Sequence, residues 1–265
     1  MTDPLFTAVI LAGDRGPQEP LTQAAGVCCK ALVPVAGRAM LTRVLSTLAD
    51  SPSIGERVIA GLPTAAWDAN PELAELIQHD GLRHTPAAPG PSASAAAALQ
   101  TIADDQPVLL TTTDHALLRP QVVEDFLNRA TATGLDFVAG VIRFPGFHER
   151  YPGMPKTVLR FGDDHYCGTN LFAIPRPAGR RLLDTWQRVE GQRKTPWKTV
   201  SMLGWGSVLQ FLLGRLSITD ATNRLSRRLG LKLGVVVLPF PDAAIDVDSV
   251  ADWRFVEALT AKRSN

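Results

Sequence analysis

The chain has 265 residues, 45% of them hydrophobic, and a formal net charge of +1. That is enough apolar material for one sizeable core, and the near-neutral balance excludes a globally basic nucleic-acid binder. Three cysteines make no disulfide framework, so a reducing cytoplasm is the expected location.

In chain order, "MTDPLFTAVILAG" carries no basic leader region, and no signal peptide is expected. Leu5 to Leu11 reads as a central strand broken at Ala12-Gly13. A long irregular segment, Gly13 to Lys30, follows it. Within that segment, adjacent Cys28 and Cys29 lack the spacer of a metal knuckle or redox motif and read as small half-buried residues. Met40 to Asp50 reads as a helix, with apolar residues at Met40, Leu41, Val44, Leu45 and Leu48 in helical spacing. Arg57 to Leu62 reads as a strand, Pro71 to Gln78 as a short helix, and Ser92 to Ala103 as an alanine-rich helix. "PVLLTTT" (107–113) is a strand, Pro120 to Ala132 a helix, and Asp136 to Phe144 a strand.

The second half is less regular. Thr157 to Phe161 and Gly168 to Ile174 read as strands, Pro177 to Arg188 as a helix, and Lys194 to Arg228 as an apolar, basic helical region. Leu233 to Pro239 is a β-branched strand, and a last helix ends near Lys262. No run of about 18 apolar residues predicts a membrane span. This alternation predicts an α/β fold of three layers, a mostly parallel sheet flanked by helices. Ligands of such sheets bind beyond the carboxyl ends of the strands. Three loops qualify: 13–30, 87–94 and 114–115.

Three constellations carry chemistry. In the first loop, Gly13 and Gly16 let backbone approach a ligand, and Arg15 and Lys30 can neutralise phosphate oxygens. The spacing fits neither a Walker A loop nor GxGxxG, and a purely structural loop is the alternative. At the end of "VLLTTTDHALL", Asp114 is placed to hold Mg²⁺ together with substrate phosphates, or else caps the turn before Pro120. His115 beside it reads as a structural hydrogen-bonder and is assigned no catalytic part. In "AAIDVDSVADW", Asp246 and Asp248 share one face of an extended stretch; Asp248 alternatively caps the last helix.

Together, "LAGDRG…KALVPVAGRAML", "LLTTTDHALL" and "IDVDSVADW" resemble the molybdenum cofactor guanylyltransferase-like nucleotidyltransferases. These stand with the methylerythritol phosphate cytidylyltransferases and share their GT-A-like fold. The resemblance implies that Leu11, Ala12 and Gly13 meet the nucleobase and ribose. It places Gly13 and Arg15 near the triphosphate and Lys30 at the α-phosphate. Gly90 and Ser94 would form the base-binding loop. Asp114 would bind Mg²⁺ (Mn²⁺ being the alternative ion), with Asp246 or Asp248 as the second carboxylate. Two departures stand out: Asp14 replaces the second of two adjacent glycines, and "PQEPLTQAAGVCC" lengthens the loop before Lys30.

For the acceptor, Thr169 and Asn170 follow Gly168 where related transferases face their second substrate; a tight turn is the competing reading. Lys156 and Thr157 either meet an acceptor phosphate or are simply solvated. From Arg188 to Lys232, nine basic residues stand against Glu190 and Asp220, with Trp197, Trp205 and Phe211 among leucines. A lid using Lys194 or Lys198 on a phosphate, a membrane-surface contact, a homodimer contact through 194–228, and a helix packed on the core are the four readings.

The expectation is one nucleotidyltransferase domain over 1–265, with an atypical acceptor, lid or oligomerisation insertion at about 146–232. It would move a nucleoside monophosphate from CTP or GTP to a phosphorylated small molecule and release pyrophosphate with Mg²⁺. No nucleic-acid partner is expected. A glycosyltransferase using a nucleotide sugar, or a non-catalytic nucleotide-binding regulator, is the alternative.

Overall fold

A computed structural model describes residues 5–14, 16, 18–73, 75, 82–162, 164–191 and 216–264. Arg15, Lys194 and Lys198, and the aromatics at 197, 205 and 211, lie outside the described residues. So do residues 74 and 76–78 of the expected short helix, of which 71–73 and 75 are helical.

The first strand, β1 (Phe6–Leu11), runs through the middle of the sheet. A short helix α1 (Pro20–Ala25) and a 3₁₀ turn (Lys30–Leu32) interrupt the segment read as a continuous loop. The small hairpin β2 (Pro34–Val35) and β3 (Arg38–Ala39) then leads into α2 (Met40–Ala49). Next come β4 (Ile54–Ala60), α3 (Thr64–Ala69), β5 (Leu82–Thr85), α4 (Pro91–Leu99), β6 (Val108–Thr112) and α5 (Pro120–Ala132). The rest is β7 (Phe137–Arg143), α6 (Phe144–Arg150), β8 (Leu159–Arg160), β9 (His165–Ile174), α7 (Arg181–Gly191), α8 (Ile218–Leu229), β10 (Leu233–Val237) and α9 (Val250–Ser264).

The strand order is β5-β4-β1-β6-β9-β7-β10, with β8 added beside β9. β5, β4, β1 and β6 are parallel neighbours, and β10 runs parallel to β7. β9 is antiparallel to both β6 and β7. The expected mostly parallel sheet is therefore present, with one long reversed strand in its interior. β5 escaped the sequence reading because Leu82-Arg83-His84-Thr85 is short and mixed in polarity, as suits an edge strand.

The three layers follow from the two-residue period of the central strand. Ala8 and Ile10 of β1 face one core, with Leu45 and Leu48 of α2, Phe126 of α5 and Val256 of α9. Val9 faces the other, with Ala95, Ala98 and Leu99 of α4 and Leu183 of α7. A strand buried on both faces must be apolar throughout, and "FTAVIL" is nearly so. Alanine at 95 and 98 keeps α4 close to the sheet, so this small-residue helix packs through proximity rather than bulk. Among the described residues no helix is long and apolar enough to cross a membrane.

Register sets up the site. Leu11 pairs with Ala60 on one side and Thr112 on the other, and Ala60 pairs with Thr85. Four parallel strands thus end at one level, and the residues following each of them share one rim.

Candidate active site

The rim opens into a cavity of about 350 Å³ lined by residues from all of these ends. Leu11, Gly13 and Asp14 follow β1; Ala87, Ala88, Gly90, Pro91 and Ser94 follow β5; Thr112, Thr113 and Asp114 close β6. Glu19, Lys30 and Asp248 complete the wall. Gly61, just past β4, has φ +84, and a Cβ there would stand 3.3 Å from Ser94 Oγ and 3.5 Å from Gly13 Cα. Close approach of three loops thus requires glycine at this position. The Ser94 hydroxyl, which accepts from Ala88 N at 3.2 Å, pins the loop entering α4.

Lys30 is held from both sides. Its neighbours Cys29 and Ala31 are buried, which anchors the 3₁₀ turn in the core. Asp14 ties the loop down: its carboxylate accepts Gly16 N at 3.1 Å and Lys30 N at 3.0 Å. The unusual Asp14 is therefore a loop clamp. The Lys30 ammonium lies 2.9 Å from Asp114 Oδ2 and 2.5 Å from Asp248 Oδ1. Burial disfavours this charge, but Asp114 and Asp248 outweigh it and hold the Lys30 pKa above the ordinary lysine value.

Two connections bring Asp248 here from far along the chain. Val247 N donates to the Asp114 carbonyl at 3.1 Å, which straps the 246–248 stretch to the end of β6. Helix α9 is fastened to the hairpin after Lys30: Trp253 Nε1 donates to Pro34 O at 2.6 Å, and Ala36 N donates to Glu257 Oε1 at 2.8 Å. Asp248 does not cap α9. Ser249 takes that part, its Oγ accepting Asp252 N at 3.2 Å, while Asp252 accepts Ser249 N at 2.9 Å. Nor does Asp114 cap the helix entered at Pro120; its Oδ1 accepts the Thr112 hydroxyl at 2.5 Å.

A second cavity, about 430 Å³, adjoins the first and shares Asp248 with it. Lys156, Thr157, Cys167, Gly168, Asn170, Asp246, Ser249 and Asp252 are in its wall. Lys156 forms an ion pair with Asp246, and Asn170 Nδ2 donates to the same carboxylate at 3.4 Å. Burial pushes the Asp246 pKa up, against the pull of Lys156. Asn170 has φ 52, a left-handed conformation that asparagine tolerates better than most residues. Alternation along β9 separates the predicted neighbours: Gly168 and Asn170 face the cavity, whereas Thr169 turns into the sheet and donates to Gly140 O at 2.9 Å. Thr169 is thus a sheet contact and not a cavity residue.

Leu11, Gly13, Lys30, Gly90, Ser94, Asp114 and Asp248 all line the first cavity, and Asn170 and Asp246 the second. Ala12 is buried behind the first wall. Glu19, Ala87 and Thr112 also line it; they fall within the candidate loops and the "LLTTTDHALL" motif, but no residue-level signal marked them. His115 is 1% exposed, and its pKa is pushed down to about 4, chiefly by desolvation. It stays neutral beneath the site. Cys29, whose thiol burial pushes up to about 12, and Cys167, also raised by burial, are poor thiolate nucleophiles.

The described residues contain no cluster of three or more His, Cys, Asp or Glu placed for a metal. The donor set still suits a hard ion: Asp114 and Asp248 converge on a single cationic atom, and Mg²⁺ is commonly held by one or two carboxylates plus substrate phosphates.

Level parallel strand ends, a cavity over the rim and a lysine facing two aspartates mark an α/β domain whose site lies beyond the carboxyl ends of its strands. The chain belongs to the MobA-like NTP transferase domain family, which matches residues 8–196. A solved structure titled a hypothetical transferase from Thermus thermophilus is similar at 28% identity and TM-score 0.78, over 94% of this chain and 99% of that one. The 4-diphosphocytidyl-2C-methyl-D-erythritol synthase of Anaerococcus prevotii shares the fold at TM-score 0.58 and 14% identity, over 98% of this chain and 97% of that one. No curated protein matches the chain.

Proposed function

We propose that this transferase moves a nucleoside monophosphate from an NTP, CTP or GTP, to a phosphorylated small molecule. A phosphate oxygen of the acceptor forms a bond to the α-phosphorus while the bond to the pyrophosphate oxygen breaks, and pyrophosphate leaves. The observation that carries this reading is the pair of adjoining cavities sharing Asp248: one faced by Lys30 and Asp114, the other by Lys156 and Asn170. An in-line displacement needs a donor and an acceptor held on opposite sides of one phosphorus.

Little covalent work falls to the protein, so positioning and charge stabilisation dominate. Leu11, Gly13, Ala87, Gly90 and Ser94 form the wall for base and ribose. Lys30 meets the α-phosphate and stabilises charge that grows on its oxygens; the family resemblance alone gives Arg15, outside the described residues, a part as a second cation. Lys156, oriented by Asp246, meets the acceptor phosphate, with Asn170 beside it. Asp114 and Asp248 would hold Mg²⁺, which when bound neutralises phosphate charge. The reaction requires no thiol or imidazole nucleophile, in keeping with the buried Cys29 and His115.

Thermal shift with each of the four NTPs and Mg²⁺ selects the nucleotide. Pyrophosphate release over a panel of phosphorylated acceptors then tests transfer. Release with one class of acceptor is the expected result. Binding without release from any NTP overturns the reading in favour of a nucleotide-binding regulator, and turnover of a nucleotide sugar instead favours a glycosyltransferase.

A further inference from the structure

Lys30 does more than face a phosphate. Its ammonium sits between the two carboxylates that would receive a divalent cation, 2.9 Å from Asp114 and 2.5 Å from Asp248. The Asp114 leg is the stronger one, because its side chain and that of Lys30 are only 17% and 14% exposed. The Asp248 side chain is 65% exposed, so water screens that leg, and it can release first. One ammonium balances one of the two negative charges. A dication placed between the same oxygens would lie against that ammonium, and like charges at such range repel strongly in a partly buried site.

We propose that Lys30 is an internal countercation that closes the Asp114–Asp248 pair to divalent metal until the triphosphate of a nucleotide draws its ammonium away. The backbone need not move. Lys30 N stays bonded to Asp14 while the four-carbon stem swings the Nζ towards phosphate. Metal and nucleotide binding are then coupled: each removes an obstacle to the other. The chain thereby gains a safeguard, since a cation bound without nucleotide would occupy the site unproductively. The triphosphate as the anion rests on the proposed nucleotidyl transfer; the closure of the carboxylate pair by Lys30 does not.

The test uses the full chain without nucleotide and reads Mn²⁺ binding by electron paramagnetic resonance and titration calorimetry. Lys30→Met should bind Mn²⁺ about tenfold or more tightly than the wild type, within the usual range of such couplings. Lys156→Met removes a neighbouring cation that pairs with Asp246 instead, and should change Mn²⁺ affinity by much less. If circular dichroism shows Lys30→Met unfolded, Lys30→Gln, which keeps polarity without charge, takes its place with the same expectation. Equal or weaker Mn²⁺ binding by the folded Lys30 variant overturns the proposal, as does an equal gain in Lys156→Met. No turnover enters the readout, so a chain that fails to release pyrophosphate can still pass, and an active one can still fail.

Discussion

Asp14→Ala removes the clamp on the nucleotide loop. Two backbone donors, Gly16 N and Lys30 N, lose a charged acceptor at 3.1 and 3.0 Å. Hydrogen bonds to charged groups are worth about 1.5–3 kcal/mol each when well buried, and partial exposure here brings the pair to about 2 kcal/mol in total. For a domain of this size each kcal/mol lowers Tm by roughly 2–4 °C, so a loss of about 4–8 °C is expected if the loop opens only with the whole domain. The amide of Lys30 should lose protection in hydrogen exchange in either case, because its acceptor is gone. The kcat should fall with it, since the side chain on that residue is no longer aimed at Asp114 and Asp248. Asp14→Asn, which keeps one oxygen acceptor, should fall between. Wild-type protection at Lys30 N together with an unchanged Tm would refute the clamp and leave Asp14 as a solvated loop residue.

Other consequences are equally open to measurement. Asp114→Asn should abolish metal-dependent turnover while leaving circular dichroism unchanged; full activity would remove Asp114 from the site. Lys156→Met should raise the KM for acceptor far more than the Kd for NTP, measured by calorimetry, because Lys156 lines only the second of the two cavities. His115 should contribute to acid sensitivity. Its folded pKa is depressed to about 4 from 6.5, so its stabilising effect is complete above pH 6.5 and is lost as pH falls through 4. The loss is on the order of 3 kcal/mol across that interval. Chemical denaturation of His115→Asn at pH 7 and pH 4 should show a correspondingly flatter decline, and an unaltered slope would assign the acid sensitivity to other groups.

Periodicity and local chemistry made much of this molecule legible in one dimension. Helix Pro120–Ala132 matches its expected bounds, and β1 and α2 match within a residue. Each has a strong apolar period; proline opens the helix at Pro120, and Gly13 follows β1 within two residues. The loops that line the cavity were legible for a related reason. In a parallel sheet every strand must end at the same rim, so glycine, lysine and aspartate just past apolar runs had to meet there. Lys156 left two readings open in sequence because an upstream loop lysine looks the same whether solvated or paired.

Only the tertiary structure decided the rest. Asp248 or Ser249 could equally cap α9 by local rules; the strap from Val247 to Asp114 and the fastening of Trp253 to Pro34 turn Asp248 towards Lys30. Thr169 and Asn170 are adjacent in sequence, yet the alternation of a strand sends one into the sheet and the other to the cavity. The reversed direction of β9, whose residues 168–174 read as a strand, was equally invisible, since direction in a sheet depends on its neighbours and leaves no mark on a strand's own residues. Composition and pattern along the chain thus determined the strands and helices of strong apolar period and which rim carries the chemistry, because burial acts locally on every residue, while short elements such as β5 and α1 left too little pattern to read. Which side chains share a charge across that rim depended on contacts between distant segments, and those exist only once the chain has folded.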